Sequence, residues 1–255
     1  MSTISLGQER IANTLKQGKR SFIISFSGGC DSTTILDILC KEIEKTHLKD
    51  ECNIFLTYHS IHSFRFPGVL VRERHSISDI MSIYKNQGFH IYDINLDSKL
   101  DEIYTADPTL KYGSYLALPV LWVLAIANTL LIVPPSKIQI FMGYIKGDDA
   151  IRCKKEILDI YSNIFKIYGI KDTDIEFPLE NTSKEDIILY LQKNKLYDKV
   201  TFCEASDNCN VQLRGIHAIP KCKCCERHLN ALLHIEIMKN KSSDTRAQTN
   251  ENTWS

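Results

Sequence analysis

Two groups of residues in this chain have types and spacings that could do chemistry. The first is Ser27-Gly28-Gly29-Cys30-Asp31-Ser32, followed by Thr33 and Thr34. It stands between a short apolar, β-prone run at 22–26 and a helical pattern carrying Ile35, Leu36, Ile38 and Leu39. A strand, a glycine turn and a helix start make an anion cradle. Glycines let the backbone approach closely, the hydroxyls of Ser27, Ser32 and Thr33 add donors, and the first N–H groups of the helix face negative charge. No Gly-Lys-Ser/Thr follows, which excludes the phosphate loop of the common nucleoside triphosphatases.

The second group is cysteine. Five of the nine cysteines fall between positions 203 and 225, a concentration that points to a metal site rather than a disulfide framework. Cys222-x-x-Cys225 opens onto a helical pattern and forms a half-site for zinc; Cys203 and Cys209 can supply the other half of a closed tetrahedral set. Cys224 sits beside them, so spacing alone leaves the fourth ligand open between Cys209 and Cys224. Buried reduced thiols, a redox pair or an iron–sulfur cluster are the competing readings. A four-sulfur site keeps no open position, so the metal is expected to be structural and to pin the C-terminal lobe near the active-site rim. His217 and His228 are expected to be solvated rather than ligands.

Lesser candidates follow. Gly143-Tyr-Ile-Lys-Gly-Asp148-Asp149 is a glycine- and acid-bearing loop after an apolar strand, where doubly wound sheets place their ligands. Gly143, Asp148 and, just beyond, Cys153 are the substrate-side candidates, although two consecutive aspartates make a solvated turn as readily. His59, His62 and His75 read as surface or core histidines before catalytic bases. Cys30 lies beside a helix N-terminus, which favours thiolate, but it occupies a variable slot and is taken as incidental.

The elements that must position these groups follow from pattern. A chain of 255 residues with 44% hydrophobic and 24% charged residues is globular and buries ample core. Lysine plus arginine equals aspartate plus glutamate at 31 each, leaving no global electrostatic footprint for nucleic acid or an anionic membrane. Residues 1–20 read as an added amphipathic helix, not a signal peptide, and the many cysteines suit a reducing, cytoplasmic setting. Strands are expected at 22–26, 53–58, 89–94 and 138–142, with a short extended piece at 176–179. Helices are expected at 5–18, 33–45, 72–87, 152–168 and from Ser183, whose spacing to Asp186 resembles a capping box. A histidine- and aromatic-rich loop spans 59–68 and a polar loop 98–113. The uncharged run at 115–133 has the length of a membrane span. Pro119 within it, the lack of a flanking basic cluster and the strand that follows favour a buried helix on a sheet. Alternating strands and helices imply an α/β fold, a doubly wound parallel sheet covered on both faces. The expected division is an N-terminal helix at 1–20, an α/β domain carrying the glycine loop at 21–200, a zinc-binding helical segment at 201–239 and a disordered tail at 240–255.

The Ser-Gly-Gly-x-Asp-Ser string resembles the pyrophosphate-binding loop of the ATP pyrophosphatase (PP-loop) superfamily, whose fold is adenine nucleotide alpha hydrolase-like. Together with the C-terminal cysteines it resembles the 7-cyano-7-deazaguanine synthase (QueC) family over residues 21–235. The 143–153 stretch is similar to that family's glycine–acid loop ending in a cysteine, and Phe177-Pro-Leu179 with Lys184 resembles the superfamily's Pro-Leu…Lys element. The resemblance implies ATP with Mg²⁺ at Ser27, Gly28, Gly29, Asp31, Ser32 and Thr33. It gives Asp31 to the magnesium, Lys184 to the charge on the pyrophosphate leaving group, and Zn²⁺ to the cysteines. The implied reaction adenylates the carboxylate of a 7-carboxy-7-deazaguanine, ammonia or an amine then displaces AMP to give an amide, and in the family ammonia and a second adenylation give the nitrile. Members in bacterial defence clusters conjugate other acceptors, including protein amines; the family also implies a homodimer. Departures concentrate on the substrate side: 113–118 lacks the family's Pro-x-Arg-Asn, and Ile219-Pro-Lys-Cys222 lacks its first cysteine. Two further readings stand beside this one. A tRNA-thiolating enzyme would be expected to carry a cysteine pair near the active site rather than one terminal cluster. A non-catalytic nucleotide-binding module would bind ATP without releasing pyrophosphate.

Overall fold

The computed structural model describes residues 3–61, 67–98, 138–167, 174–205 and 207–251. Five strands form one sheet: β1 (Ser21–Ser25), β2 (Asn53–Ile61), β3 (His90–Ser98), β4 (Ile138–Phe141) and β5 (Asp174–Glu176). The order is β3-β2-β1-β4-β5, every pair parallel. The strands step outward from β1 to β3, and β4 then returns to the other side of β1. Between β1 and β4 the order reverses, which opens a crevice at their C-terminal ends.

The apolar runs form strands because parallel strands are buried on both faces. Phe22, Ile23 and Ile24 are fully buried, and so are Ile140 and Phe141. Across one face the register aligns Tyr92, Phe55, Ile23, Ile140 and Ile175. Helix α5 (Lys154–Ile167) adds Ile157, Tyr161 and Phe165 to the apolar cluster on that face. Strands β2 and β3 outrun the sequence expectation, to Ile61 and Ser98, while β5 lies at Asp174–Glu176 rather than at 176–179, and helix α3 (Pro67–Asn86) begins at Pro67, inside the stretch read as a loop. Pro is well suited to a helix's first turn because its missing N–H would have no partner there.

Helix α1 (Thr3–Lys16) is no loose appendage. Ile11 and Leu15 are buried, and an added Cβ at Gly7 would stand 2.9 Å from the Pro178 carbonyl, so only glycine allows that approach. Arg10 donates to Glu180 at 2.6 Å, and Lys154 reaches the same carboxylate at 2.5 Å. Helix α2 (Cys30–Lys45) is pinned through a buried carboxylate. Asp37 accepts from the Tyr84 and Tyr190 hydroxyls, each at 2.7 Å, and from Lys41 at 2.6 Å. Burial, with Asp37 adding to it, pushes both tyrosines well above their usual range.

Helix α4 (Asp149–Arg152) and helix α6 (Lys184–Lys193) complete the first compact unit, Met1–Thr201. The second unit, Phe202–Ser255, holds the short helix α7 (Val211–Arg214), a 3₁₀ turn (Gly215–His217) and helix α8 (Lys223–Glu251). Helix α8 runs on to Glu251, within the stretch 240–255 read from composition as a disordered tail; 252–255 lie outside the described residues. Residues 239–251 hold neither proline nor glycine, so a helix already started continues at one hydrogen bond per added residue. Among the described residues no helix is long and apolar enough to cross a membrane. The run at 115–133, the polar loop at 98–113 beyond Ser98, and His62 lie outside the described residues.

Candidate functional site

The cradle at 27–32 forms where β1 ends and α2 begins. Gly28 sits at φ +69°, and a Cβ there would stand 2.8 Å from the Ser76 hydroxyl and 2.9 Å from its Cβ. Both the backbone conformation and the space therefore require glycine. Gly29 is the N-cap of α2 and places no side chain over the first-turn N–H groups, leaving the helix start to face an anion. Ser27 is half-buried and Ser32 is buried, its hydroxyl 3.4 Å from the Gly29 carbonyl. Thr33 is fully buried, and its hydroxyl has no hydrogen-bond partner. Cys30 departs from the thiolate expectation. Burial pushes its thiol up to about 12 against the pull of Lys184, because the loss of solvent outweighs the helix terminus.

Two more loops meet this one at the switch point. Gly143, after β4, lies so close to α2 that an added Cβ would be 3.0 Å from the Ser32 nitrogen. Lys146 donates its N–H to the Thr182 carbonyl at 3.1 Å, tying the β4 loop to the segment before α6. There Ser183 accepts from the Asp186 N–H at 3.1 Å, the cap that its spacing predicts, and Lys184 opens the helix. Its ammonium lies 2.8 Å from the Asp31 carboxylate, with side chains 13% and 23% exposed. The structure thus brings together Asp31 and Lys184, 153 positions apart. One anion-friendly helix start has an ion-paired lysine and carboxylate on its rim.

The other substrate-side candidates are placed differently. Asp148 accepts from the Ile145 N–H at 2.7 Å, and its own N–H donates to the Ile145 carbonyl, so it closes its own turn. Cys153 sits between α4 and α5, half-buried against the β4–α5 cluster. His75 is exposed.

Sequence reading missed Ser76. From α3 its hydroxyl lies 2.7 Å from the Gly28 carbonyl and 2.7 Å from the Lys199 carbonyl. Thr201 donates its N–H to the same Gly28 oxygen at 3.0 Å. The only trace in the sequence is a serine on the helix face that otherwise buries Val69, Ile77 and Ile80.

In the second unit the ligand atoms of Cys203, Cys209, Cys222 and Cys225 all lie within 4.8 Å of one another. Cys203, Cys209 and Cys225 are buried and Cys222 is half-buried. Backbone N–H groups of Glu204, Cys209 and Lys221 donate to the sulfurs of Cys222, Cys203 and Cys209 at 3.4, 3.3 and 3.1 Å. Such donors stabilise thiolate. A hydrogen bond from the Cys225 thiol pulls Cys222 down to about 5 and holds Cys225 up. Bonds of about 2.3 Å to one zinc ion would put the sulfurs ~3.8 Å apart, and Cys209 and Cys222 already stand at 4.0 Å. The set fits one tetrahedral ion. A cubane cluster interposes its own iron and sulfide between the thiolates and needs them farther apart. His228, expected to be solvated, is instead fully buried and stacked on Phe202, ring centres 3.7 Å apart; His217 is exposed.

No family model and no curated protein sequence matches the chain. Among solved structures it is similar to the U34-tRNA thiolase NcsA from Methanococcus maripaludis with its [4Fe-4S] cluster. The TM-score is 0.52 and the identity 14%, over 91% of this chain and 79% of the thiolase. That likeness shows the fold, an α/β arrangement on a parallel sheet, and nothing finer. NMN synthetase from Francisella tularensis (TM-score 0.36, 15% identity, 76% and 73% covered) is more distant. So is NAD+ synthetase from Burkholderia pseudomallei (0.40, 12%, 97% and 91%). At those scores the synthetases add nothing to the fold assignment.

Proposed function

We propose that the chain is an ATP-dependent adenylating ligase that activates the carboxylate of 7-carboxy-7-deazaguanine or a similar deazapurine, releasing pyrophosphate. The observation that carries the adenylating part is the Asp31–Lys184 pair on the rim of a glycine loop at the sheet's switch point. Without ligand the two side chains neutralise each other. Magnesium with a triphosphate would exchange that pair: the carboxylate turns to the cation and the ammonium to the phosphates. Lys184 then stabilises charge as it builds on the leaving pyrophosphate, while the loop's N–H groups hold the anion without reorganising. The deazapurine rests on the resemblance of the loop, Lys184 and the cysteine segment to the 7-cyano-7-deazaguanine synthases. Ammonia would displace AMP to give the amide, and a second ATP, adenylating the amide oxygen so that it leaves with AMP, would give the nitrile; a protein amine would displace AMP to give a conjugate. Zinc at the four cysteines would be structural, supplying cross-links between segments that bury little else.

The experiment is mass spectrometry on zinc-replete protein with Mg-ATP, 7-carboxy-7-deazaguanine and ammonium. AMP with a nitrile or amide supports synthesis, and AMP with a deazaguanine-sized mass on a protein supports conjugation. ATP left intact in the presence of substrate removes the proposal.

One observation favours a second reading, tRNA thiolation: the thiolase shares the fold over 91% of the chain. The close spacing of the four sulfurs argues against a cluster of the kind named for that enzyme. Sulfur incorporated into transcribed tRNA, with AMP release that depends on tRNA and not on the deazapurine, would establish it.

A further inference from the structure

We infer that Ser76, on α3, is a positioning residue for the phosphate loop: with the Thr201 N–H it clamps the Gly28 carbonyl and so aims the Gly29 N–H at the anion. This rests on the nucleotide reading above and goes beyond it, since neither residue belongs to the glycine motif.

The argument begins with one peptide plane. The carbonyl of Gly28 and the N–H of Gly29 belong to the same trans amide, so they point in opposite directions. Gly28 sits at φ +69°, in a region where glycine has little intrinsic preference, and the loop could turn this plane either way. Turned one way, a carbonyl dipole would face the phosphates and repel them. Turned the other, an N–H would face them.

The structure holds the second arrangement from two sides. The Ser76 hydroxyl lies 2.7 Å from both the Gly28 and the Lys199 oxygens and shares its one proton between them, and the Thr201 N–H donates to the Gly28 oxygen at 3.0 Å. Ser76 is only 5% exposed, so water does not replace it cheaply. Its backbone neighbour Ile77 and its own Cβ also crowd the α-carbon of Gly28, within 3.1 Å of where a side chain would stand. The carbonyl is therefore buried against α3 and the 199–201 segment, and the Gly29 N–H points away from both. Anion affinity then depends on a serine 48 residues from the loop.

Ser76→Ala tests this, with Ser82→Ala as the control; Ser82 is on the same helix, and its exposed hydroxyl donates to the Ser78 carbonyl one turn back. Calorimetric titration with Mg-ATP, inorganic pyrophosphate and adenosine reads the result. In S76A, ATP and pyrophosphate are expected to bind about tenfold more weakly while adenosine binds as to wild type. S82A should change none of the three. A generally loosened fold would weaken adenosine as well, and that outcome, or unchanged pyrophosphate binding, overturns the clamp. Wild-type protein that binds neither ATP nor pyrophosphate overturns the nucleotide reading, and the clamp with it. Should S76A not fold, as judged by circular dichroism, Thr201→Pro deletes the other donor to the same oxygen. The same selective loss is expected of it, and equal affinities would overturn the clamp.

Discussion

The phosphate loop and the cysteine centre are both built from short irregular segments, yet they are ordered by different means. Around the loop, β1, β4 and α2 contribute large buried side chains, and Phe22 and Phe141 stack at 6.0 Å. Apolar burial there worth roughly 25 cal/mol per Å² orders the backbone without any ligand. The buried cluster of the second unit is Cys203, Ala205, Cys209, Val211, Ala218 and Cys225. Three of those six are thiols of the proposed metal set, the rest are alanine and valine, and Phe202, Leu229 and Leu232 pack against them only partly buried. That cluster has no counterpart to the large buried side chains of the first unit, so a bound ion tying the four thiols together would supply order that apolar burial does not.

That contrast can be broken most directly by removing the metal. Chelation at neutral pH, or Cys225→Ser, is expected to cost the second unit its fold, an effect on the scale of about 10 kcal/mol for structural zinc. Amide exchange should become fast at 203–235 and stay slow at 22–43. Protein that carries no zinc as purified, or that keeps slow exchange at 203–235 after chelation, would refute the coordinated core. Next in size, Lys184→Ala should lower pyrophosphate release about 10²-fold or more, because the leaving group loses its cation. Thermal melting should move only a few degrees, since the pair it breaks is partly solvated. A variant with wild-type turnover would place the leaving-group charge elsewhere.

Gly28→Ala sharpens the comparison from the first unit's side. A positive φ and a clash with Ser76 should together destabilise by about 1–3 kcal/mol, read by urea titration. A loss below a few tenths would mean that the loop is not held against α3. The smallest effect concerns Glu180, which joins α1 to α5. Burial raises its pKa, but hydrogen bonds from Lys154 and Arg10 outweigh that and hold the carboxyl below its usual range. Its contribution is therefore complete above the unfolded value near 4.3 and is lost as pH falls through the lower folded value. Arg10 and Lys154 are partly exposed, so screening limits this to about 0.5–1 kcal/mol. Melting temperatures of wild type and Glu180→Gln should converge between pH 5 and 3; a constant gap would rule the ion pair out as the cause.

Much of the architecture could be read from residue order, for local reasons. Residues 22–26 and 138–142 are apolar runs too short for helices, and Ser183 precedes a helical pattern with Asp186 three positions on; both signals act within one turn or one strand. Element ends were less legible. Pro67 starts a helix and Ile61 ends a strand inside a stretch whose aromatics and histidines carry no clear period. The burial of His228 and Cys30 is not legible in the sequence for a shared reason: their neighbours along the chain do not disclose the non-local packing that covers them, His228 against Phe202 and Cys30 at the loop.

By itself the sequence determined the glycine loop, the parallel α/β class and three of the four sulfurs, because each is written in adjacent residues or fixed spacings. Only the tertiary structure decided that Asp31 faces Lys184 and that Cys209 rather than Cys224 completes the close sulfur set. It also decided that Ser76 and Thr201 share one carbonyl oxygen of the loop. Those pairings join positions 13 to 173 residues apart, and no local periodicity encodes them. They exist because the sheet order carries β4 back beside β1 and the chain beyond α6 returns to Gly28.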